Sequence, residues 1–322
     1  MKTFDRNAQA GVVLIAVLWG VLLLITIAFA LAAATRVTVD ELENRKESMQ
    51  AYYLARGAAL RTAVMLSTNP ASGTTPAIAP GQQTLEWDEG ADRVTVELSD
   101  EGGKIDVNRA SEQTLERLLT ALGIDLQSAP SLVQAIENWR RPSSITGVYG
   151  ADDSYYLSLP EPYHPPHADF RSVNELLLVR GVTEDLFYGR YVVRDDGQVE
   201  RHPGLLDCLT VHSSSQAINI NYAAYPVLMA MPQMDAAVAN YIVAGRAKQP
   251  FSSVSDVTRE FPVSLGAETL SYLTTQNSGW FTLTSRGSSP RNISARVRAL
   301  VKLQGGQDAP FRIVAWDDDY VR

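Results

Sequence analysis

One cysteine among 322 residues, Cys208, excludes an intrachain disulfide. A lone cysteine most often serves as a small buried hydrophobe. Histidine is nearly as scarce: His164, His167, His202 and His212 show no helical metal spacing, and the first two flank a Pro-Pro pair that reads as loop. Basic charge is in deficit, with a net charge of -8 at pH 7, which argues against a nucleic-acid-binding polycation. The sequence also lacks a nucleophile elbow, a P-loop, zinc-ligand spacing and a Cys/His pair, so an enzyme is not expected. Serine-rich pieces such as Ser213-Ser214-Ser215 read as loop, and the apolar residues of the central helices read as core.

Near the N-terminus polarity itself is missing. From Val12 to Ala34 the only clearly polar side chain is Thr26. Such a run of roughly 23 residues crosses a hydrocarbon core of about 30 Å as a helix, and only a helix satisfies its own backbone in lipid. A short polar leader with Lys2, Asp5 and Arg6 precedes it and ends in Ala10-Gly11, while charge returns at once after it with Arg36, Asp40 and Glu41. Three readings fit this start. A secretory signal would be cut after the small residues Ala32-Ala33-Ala34. A plain single-pass anchor would stay whole. A prepilin-type leader would be cut between Gly11 and Val12, before the apolar run, leaving that run on the mature chain.

From Thr35 to Leu66 there is no proline, and the only glycine is Gly57. Leu42, Met49, Tyr52, Tyr53, Leu60, Val64 and Met65 form roughly one helical stripe, so the helix is expected to continue and to pack this stripe against a globular head. Asn69-Pro70, Gly73, Pro76 and Pro80-Gly81 break it. Strands are expected at Gln83 to Trp87, Arg93 to Leu98 and Lys104 to Asn108. Ser111 caps a helix that Gly123 ends, and Ser131 to Arg140 form another. Arg141 to Pro166 is loop-rich. Ser172 starts a short helix with Glu175 in a capping box, Val179 to Val182 make a hairpin, and Thr183 caps a helix carrying Leu186, Phe187 and Tyr191. A repeat is visible: Ile105-Asp-Val-Asn108 resembles Ile218-Asn-Ile-Asn221, and Phe170-Arg-Ser-Val-Asn-Glu-Leu176 is echoed from Phe251 to Val257. Strands return at Trp280 to Ser285, Ile293 to Leu303 and Phe311 to Trp316.

These stretches, with Gly11-Val-Val-Leu-Ile-Ala-Val-Leu-Trp19 and Gly150-Ala-Asp-Asp-Ser-Tyr-Tyr-Leu157, resemble the minor pseudopilin K family of type II secretion systems over nearly the whole chain. The resemblance implies an α+β, pilin-like fold: a long N-terminal helix packed on a small antiparallel sheet, with a large inserted α-helical domain of two related SAM-like, helix-hairpin-helix-like units. The corresponding segments are a leader at 1–11, the transmembrane and stalk helix at 12–67, sheet at 68–107, helical units at 108–213 and 214–276, and sheet at 277–322. It implies cleavage after Gly11 by prepilin peptidase and N-methylation at Val12. It places the chain in the bacterial inner membrane with its bulk in the periplasm, at the pseudopilus tip, beside minor pseudopilins I and J and the major pseudopilin. There it would initiate assembly and support export of folded proteins. Major pilins carry a glutamate at the fifth mature position, and this chain has Ala16 there. A carboxylate without a partner is costly in lipid, and a tip subunit lacks one axial neighbour.

The resemblance also raises calcium, for which Asp152 and Asp153 are the candidate ligands. Arg140 and Arg141 are cations expected to oppose a dication, and Asp317-Asp318-Asp319 reads as a solvated tail. Two rival functions stand. A type IV pilus minor pilin shares the leader and helix but not the paired helical units. A membrane-anchored helix-hairpin-helix DNA-binding protein would use the hairpins at Leu178–Thr183 and Met231–Asp235, but these hold one glycine and none, and the chain is acidic. Nucleic acid is therefore not an expected partner.

Overall fold

The computed structural model describes residues 6–67, 78–79, 81–141, 153–194, 196–213, 215–261, 265–304 and 309–318, and within the first helix it describes side chains from Val13 to Leu31 and from Glu41 onward. Most of the expected breaker stretch after Ser67 lies outside the described residues, as does Gly305-Gly306 between the last two expected strands. Helix α1 (Arg6–Ser67) runs unbroken for 62 residues, as the absence of proline predicts. Strands β1 (Thr84–Glu89) and β2 (Asp92–Asp100) follow as a hairpin. Val94, Val96 and Leu98 are buried, as their alternation requires.

The chain then leaves the sheet. A 3-10 turn (Glu101–Gly103), β3 (Ile105–Asp106), α2 (Glu112–Ala121), α3 (Ala129–Arg140), α4 (Asp153–Leu157), a second 3-10 turn (Val173–Leu178) and α5 (Glu184–Tyr188) come first. The hairpin β4 (Arg190–Val193) and β5 (Val199–His202), then α6 (Leu205–Cys208) and β6 (Leu209–Thr210), close this unit. The second unit holds β7 (Ile218–Asn219), α7 (Tyr225–Met229), α8 (Ala236–Lys248), α9 (Val254–Glu260), α10 (Ala267–Ser271) and β8 (Leu273–Thr274). Strands β9 (Trp280–Ser288), β10 (Ser294–Leu303) and β11 (Phe311–Asp317) return to the sheet, whose order is β1-β2-β9-β10-β11 with every neighbouring pair antiparallel.

The repeat seen in the sequence is structural. Each unit is closed by a two-residue parallel ladder, β3 with β6 and β7 with β8. Asn108 exchanges two hydrogen bonds with the Phe170 backbone, at 2.9 and 2.8 Å, and Asn221 exchanges the same two with Phe251 at the same distances. Arg140 donates to the carbonyls of Val107 and Ala110, and Arg246 donates to those of Ile220 and Ala223, the equivalent positions. Ser172 with Glu175, and Ser253 with Asp256, are matching capping boxes. The hairpins also correspond, and Gly181 at φ +89° is replaced in the second by Gln233 at φ +54°.

Three expectations are corrected. Lys104–Asn108 is a strand only at Ile105–Asp106 and joins β6, not the five-stranded sheet. Tyr191 belongs to β4, because α5 stops at Gly189, whose φ is +81°. The third concerns which face of α1 packs. Ala51, Ala55, Ala58, Ala59, Thr62, Ala63 and Met65 are buried, whereas Leu42, Met49, Tyr53, Leu60 and Val64 are between 38 % and 63 % exposed. Helix and sheet approach too closely for large residues: a Cβ on Gly287 of β9 would stand 2.3 Å from the Ala51 carbonyl oxygen. Small side chains against Phe281, Leu283, Val297, Ala299 and Val301 bring the two backbones together.

Overpacking this interface costs about 1–3 kcal/mol per added bulk. Gly287→Val and Ala55→Leu are each expected to lower the unfolding free energy of the full chain in detergent, read from urea titration, by that amount, with Leu60→Ala nearly neutral. Equal losses at all three would mean that the inner face is misassigned. Asn221→Ala strands the Phe251 amide and carbonyl, and is expected to cost about 1–3 kcal/mol in the same measurement.

Candidate functional site

The long helix carries two working surfaces. The first is the apolar run. Among the described residues Val13–Leu31 is the one helical stretch long and apolar enough to cross a membrane, and none of it is covered by the rest of the chain. Its polar side chain, Thr26, returns its hydroxyl to the Leu23 carbonyl at 2.7 Å, so no donor is left facing lipid. Gly11 and Val12 lie within the same helical backbone, and Ala16 is exposed one turn on. A methyl group at Ala16 adds no charge to the run.

The second surface is the stripe that the sheet leaves bare. Leu42, Met49, Tyr53, Leu60 and Val64 follow steps of seven and four. At about 100° per residue they span a sector of roughly 60°, on the far side of the helix from Ala55, Ala58 and Thr62. Gly57 lies beside this stripe with open space where a Cβ would stand. Its flanks are tied down. Arg291 in the β9–β10 turn reaches Glu43 at 3.0 Å and Glu47 at 3.4 Å, Ser289 donates to Glu47, and Gln50 donates to Asp92. Those contacts hold one flank; on the other, Tyr52 donates its hydroxyl to Asp318 at 3.0 Å, so the outward direction of the stripe is fixed from both sides.

The helical insertion is held at a neck. Asp100, the last residue of β2, pairs in register with Phe281 of β9, so residues 101–279 leave and re-enter between adjacent strands. Asp100 is fully buried and accepts from the Gly102 amide, the Ser278 hydroxyl and amide, and Asn219 Nδ2. Burial pushes its carboxyl above the usual range, against the pull of these donors. One carboxylate thus joins the sheet, the return strand and β7 of the second unit. Glu101 beside it accepts from Lys104 Nζ at 2.9 Å and Thr282 Oγ1 at 2.6 Å. Burial pushes that carboxyl up, but the Lys104 ammonium and the Thr210 and Thr282 hydroxyls outweigh it, and its pKa is lowered. His212 stacks on Trp280 with ring centroids 4.8 Å apart. The sequence pointed to no meeting of these residues at a neck, because partners more than a hundred positions apart leave no local pattern.

The candidate metal ligands are only partly in view. Asp152 lies outside the described residues. Asp153, at the start of α4, places Oδ1 2.8 Å from His167 Nε2, while His167 Nδ1 contacts the Asn138 carbonyl. Among the described residues no three His, Cys, Asp or Glu side chains cluster for a metal. Asp153 alone falls short of the six to eight oxygens calcium takes. Arg140 and Arg141 both pair with Glu137; the guanidinium of Arg140 is buried against carbonyls, while that of Arg141 stays mostly exposed. Cys208 is buried and its thiol is pushed up to about 12, which suits the inert core role.

Two family models match the chain, both described as type II secretion system protein K, over residues 95–189 and 218–276. The type II secretion system protein K of Pseudomonas aeruginosa is 25 % identical over 333 residues, spanning 97 % of this chain and 93 % of that protein. Its counterpart from Pectobacterium carotovorum is 24 % identical, covering 56 % of this chain and 61 % of the relative. A solved structure of similar fold is found in the GspK-GspI-GspJ complex of enterotoxigenic Escherichia coli. Its TM-score is 0.57 at 15 % identity, and the match covers 89 % of this chain and 99 % of that one.

Burial at the neck lowers the pKa of His212 below 6.5. The unfolded chain therefore takes up this proton at a higher pH than the folded one. Stability from this residue is complete above about pH 6.5 and declines as the pH falls below it. His212→Phe, which keeps the stack, is expected to remove that part of the decline below about pH 6.5 in urea titrations. An unchanged slope would show that the ring titrates freely.

Proposed function

This chain belongs to the type II secretion system protein K family, and from that membership we propose that it works as a minor pseudopilin at the tip of the pseudopilus. In this reading it initiates assembly with minor pseudopilins I and J, is followed by the major pseudopilin, and supports export of folded proteins from the periplasm. It is a structural subunit, not an enzyme. The observation that carries the reading is the two-faced helix. A membrane anchor whose soluble half packs alanines inward and presents Leu42, Met49, Tyr53, Leu60 and Val64 outward is built to be covered by other helices. A plain anchor has no use for that stripe.

Prepilin peptidase cuts before Val12 and the new amino terminus is methylated; the remaining helix then enters a shared bundle. Ala16 gives a first subunit no lipid-buried charge that awaits a neighbour above it. The bulk of the chain lies on the periplasmic side. A minor pilin of a type IV pilus is the competing assembly, and the paired helical units speak for the secretion system. Asp152 and Asp153 are retained as proposed calcium ligands. A calcium-dependent rise in melting temperature, lost in Asp153→Asn and on chelation, would support that assignment.

Two outcomes test the reading. Intact mass of the membrane-extracted chain is expected to drop by Met1 to Gly11 and gain one methyl only when the peptidase is co-expressed; an unprocessed chain would contradict it. Met49→Asp with Leu60→Asp is expected to abolish co-purification with the other minor pseudopilins while leaving the melting temperature of the chain unchanged. Retained co-purification would move the interface elsewhere.

A further inference from the structure

The sheet face opposite α1 carries an unusual charge arrangement. Alternation places Gly287, Val297, Ala299 and Val301 against the helix, so Arg286, Arg296, Arg298 and Lys302 point the other way. In the sheet register Arg286 lies directly opposite Arg296, and Lys302 directly opposite Arg312. Like charges in such positions destabilise a sheet. Arg298, between them along β10, lies opposite Asp317. The four opposed cations find no carboxylate among the described residues: Arg286 donates to Ser294 Oγ, and Lys302 sits over the Trp280 ring at 4.9 Å. Apart from Asp317, the acids of this face, Glu86, Asp88 and Glu97, stand on β1 and β2, and Asp88 is already paired with Arg93. The face is thus basic over β9 to β11 in a chain whose net charge is -8.

Two clefts open above this face where the first helical unit overhangs it, but Glu97, Glu101, Asp207 and Asp317 line them beside Lys104 and Arg298, so the basic character belongs to the strands and not to the clefts. We infer that the β9–β11 face is a docking surface for a carboxylate-rich segment of another polypeptide. Lipid headgroups are the other anionic surface nearby, and distance disfavours them. Arg286 adjoins Gly287, which packs at the level of Ala51, and Ala51 lies about 30 Å along α1 from Leu31, the end of the apolar run. That is several times the screening length of about 8 Å. The inference does not depend on the tip assignment, because its test contains no other component of a secretion system.

The test uses the full chain in a neutral detergent and a fluorescein-labelled twelve-residue polyglutamate peptide read by anisotropy. The unaltered chain is expected to bind, with affinity falling as salt rises. Arg296→Glu with Arg312→Glu is expected to weaken binding at least tenfold. Arg117→Glu with Lys248→Glu, which reverses exposed cations on α2 and α8, is expected to leave it within twofold. No binding, or equal loss from both pairs, would overturn the proposal. Displacement of the peptide by soluble short-chain phosphatidylglycerol at matched charge would overturn it in favour of a lipid headgroup. An independent readout is the unliganded melting temperature, which Arg296→Thr should raise by relieving the opposed cations; a fall would contradict the proposal.

Discussion

A large helical insertion can sit in a small sheet only if the sheet survives the interruption, and the neck at Asp100 meets that constraint. Because β2 and β9 are neighbours, the insertion begins and ends one hydrogen-bonded pair apart. The sheet keeps its register and loses no strand. The remaining difficulty is polar. A chain that turns out of a sheet exposes amides to its interior, and buried amides need partners. Asp100 supplies an acceptor for Gly102 and Ser278 and takes a side-chain bond from Asn219, so the same carboxylate caps the departure, receives the return and fixes the second unit. Its burial is the cost of that economy of contacts.

The helix resolves a different conflict. In the proposed role it has to lie close to the sheet, cross a membrane and still offer a surface to other subunits. Small residues toward the sheet permit a close approach, and this leaves the large apolar residues for the opposite side. A helix apolar all round is normally buried all round. Here the uncovered stripe stands on the same helix as the membrane run, and in the proposed role helices of other subunits are its natural cover.

Much of this was legible in the sequence, for reasons that are local. The unbroken helix follows from missing proline, the strands from alternation, and the capping boxes from serine three residues before an acid. The repeat could be read because Asn108 and Asn221 must each meet the backbone of a phenylalanine, which fixes both residues in both units. The inward face of α1 was misread. Size suggested Leu42 to Val64, whereas Ala51, Ala55, Ala58, Ala59 and Ala63 carried the helical spacing and Gly287 carried the reason. The neck could not be read at all, since Asp100, Asn219 and Ser278 come together only in the fold. The proposed processing site Gly11–Val12 rests on a sequence pattern alone, since cleavage would be chemistry done by another protein.

The central claim is that the bare stripe of α1 is where other subunits pack. Cys208 is the sole native cysteine and is buried, so single cysteines placed elsewhere report cleanly. Cysteines at Tyr53 and Leu60, on the stripe, and at Glu86, on the sheet face away from α1, would be scanned for disulfide crosslinks to the other minor pseudopilins in membranes. The account predicts crosslinks from positions 53 and 60 and none from 86. Crosslinks from 86 with silence from the stripe would contradict it.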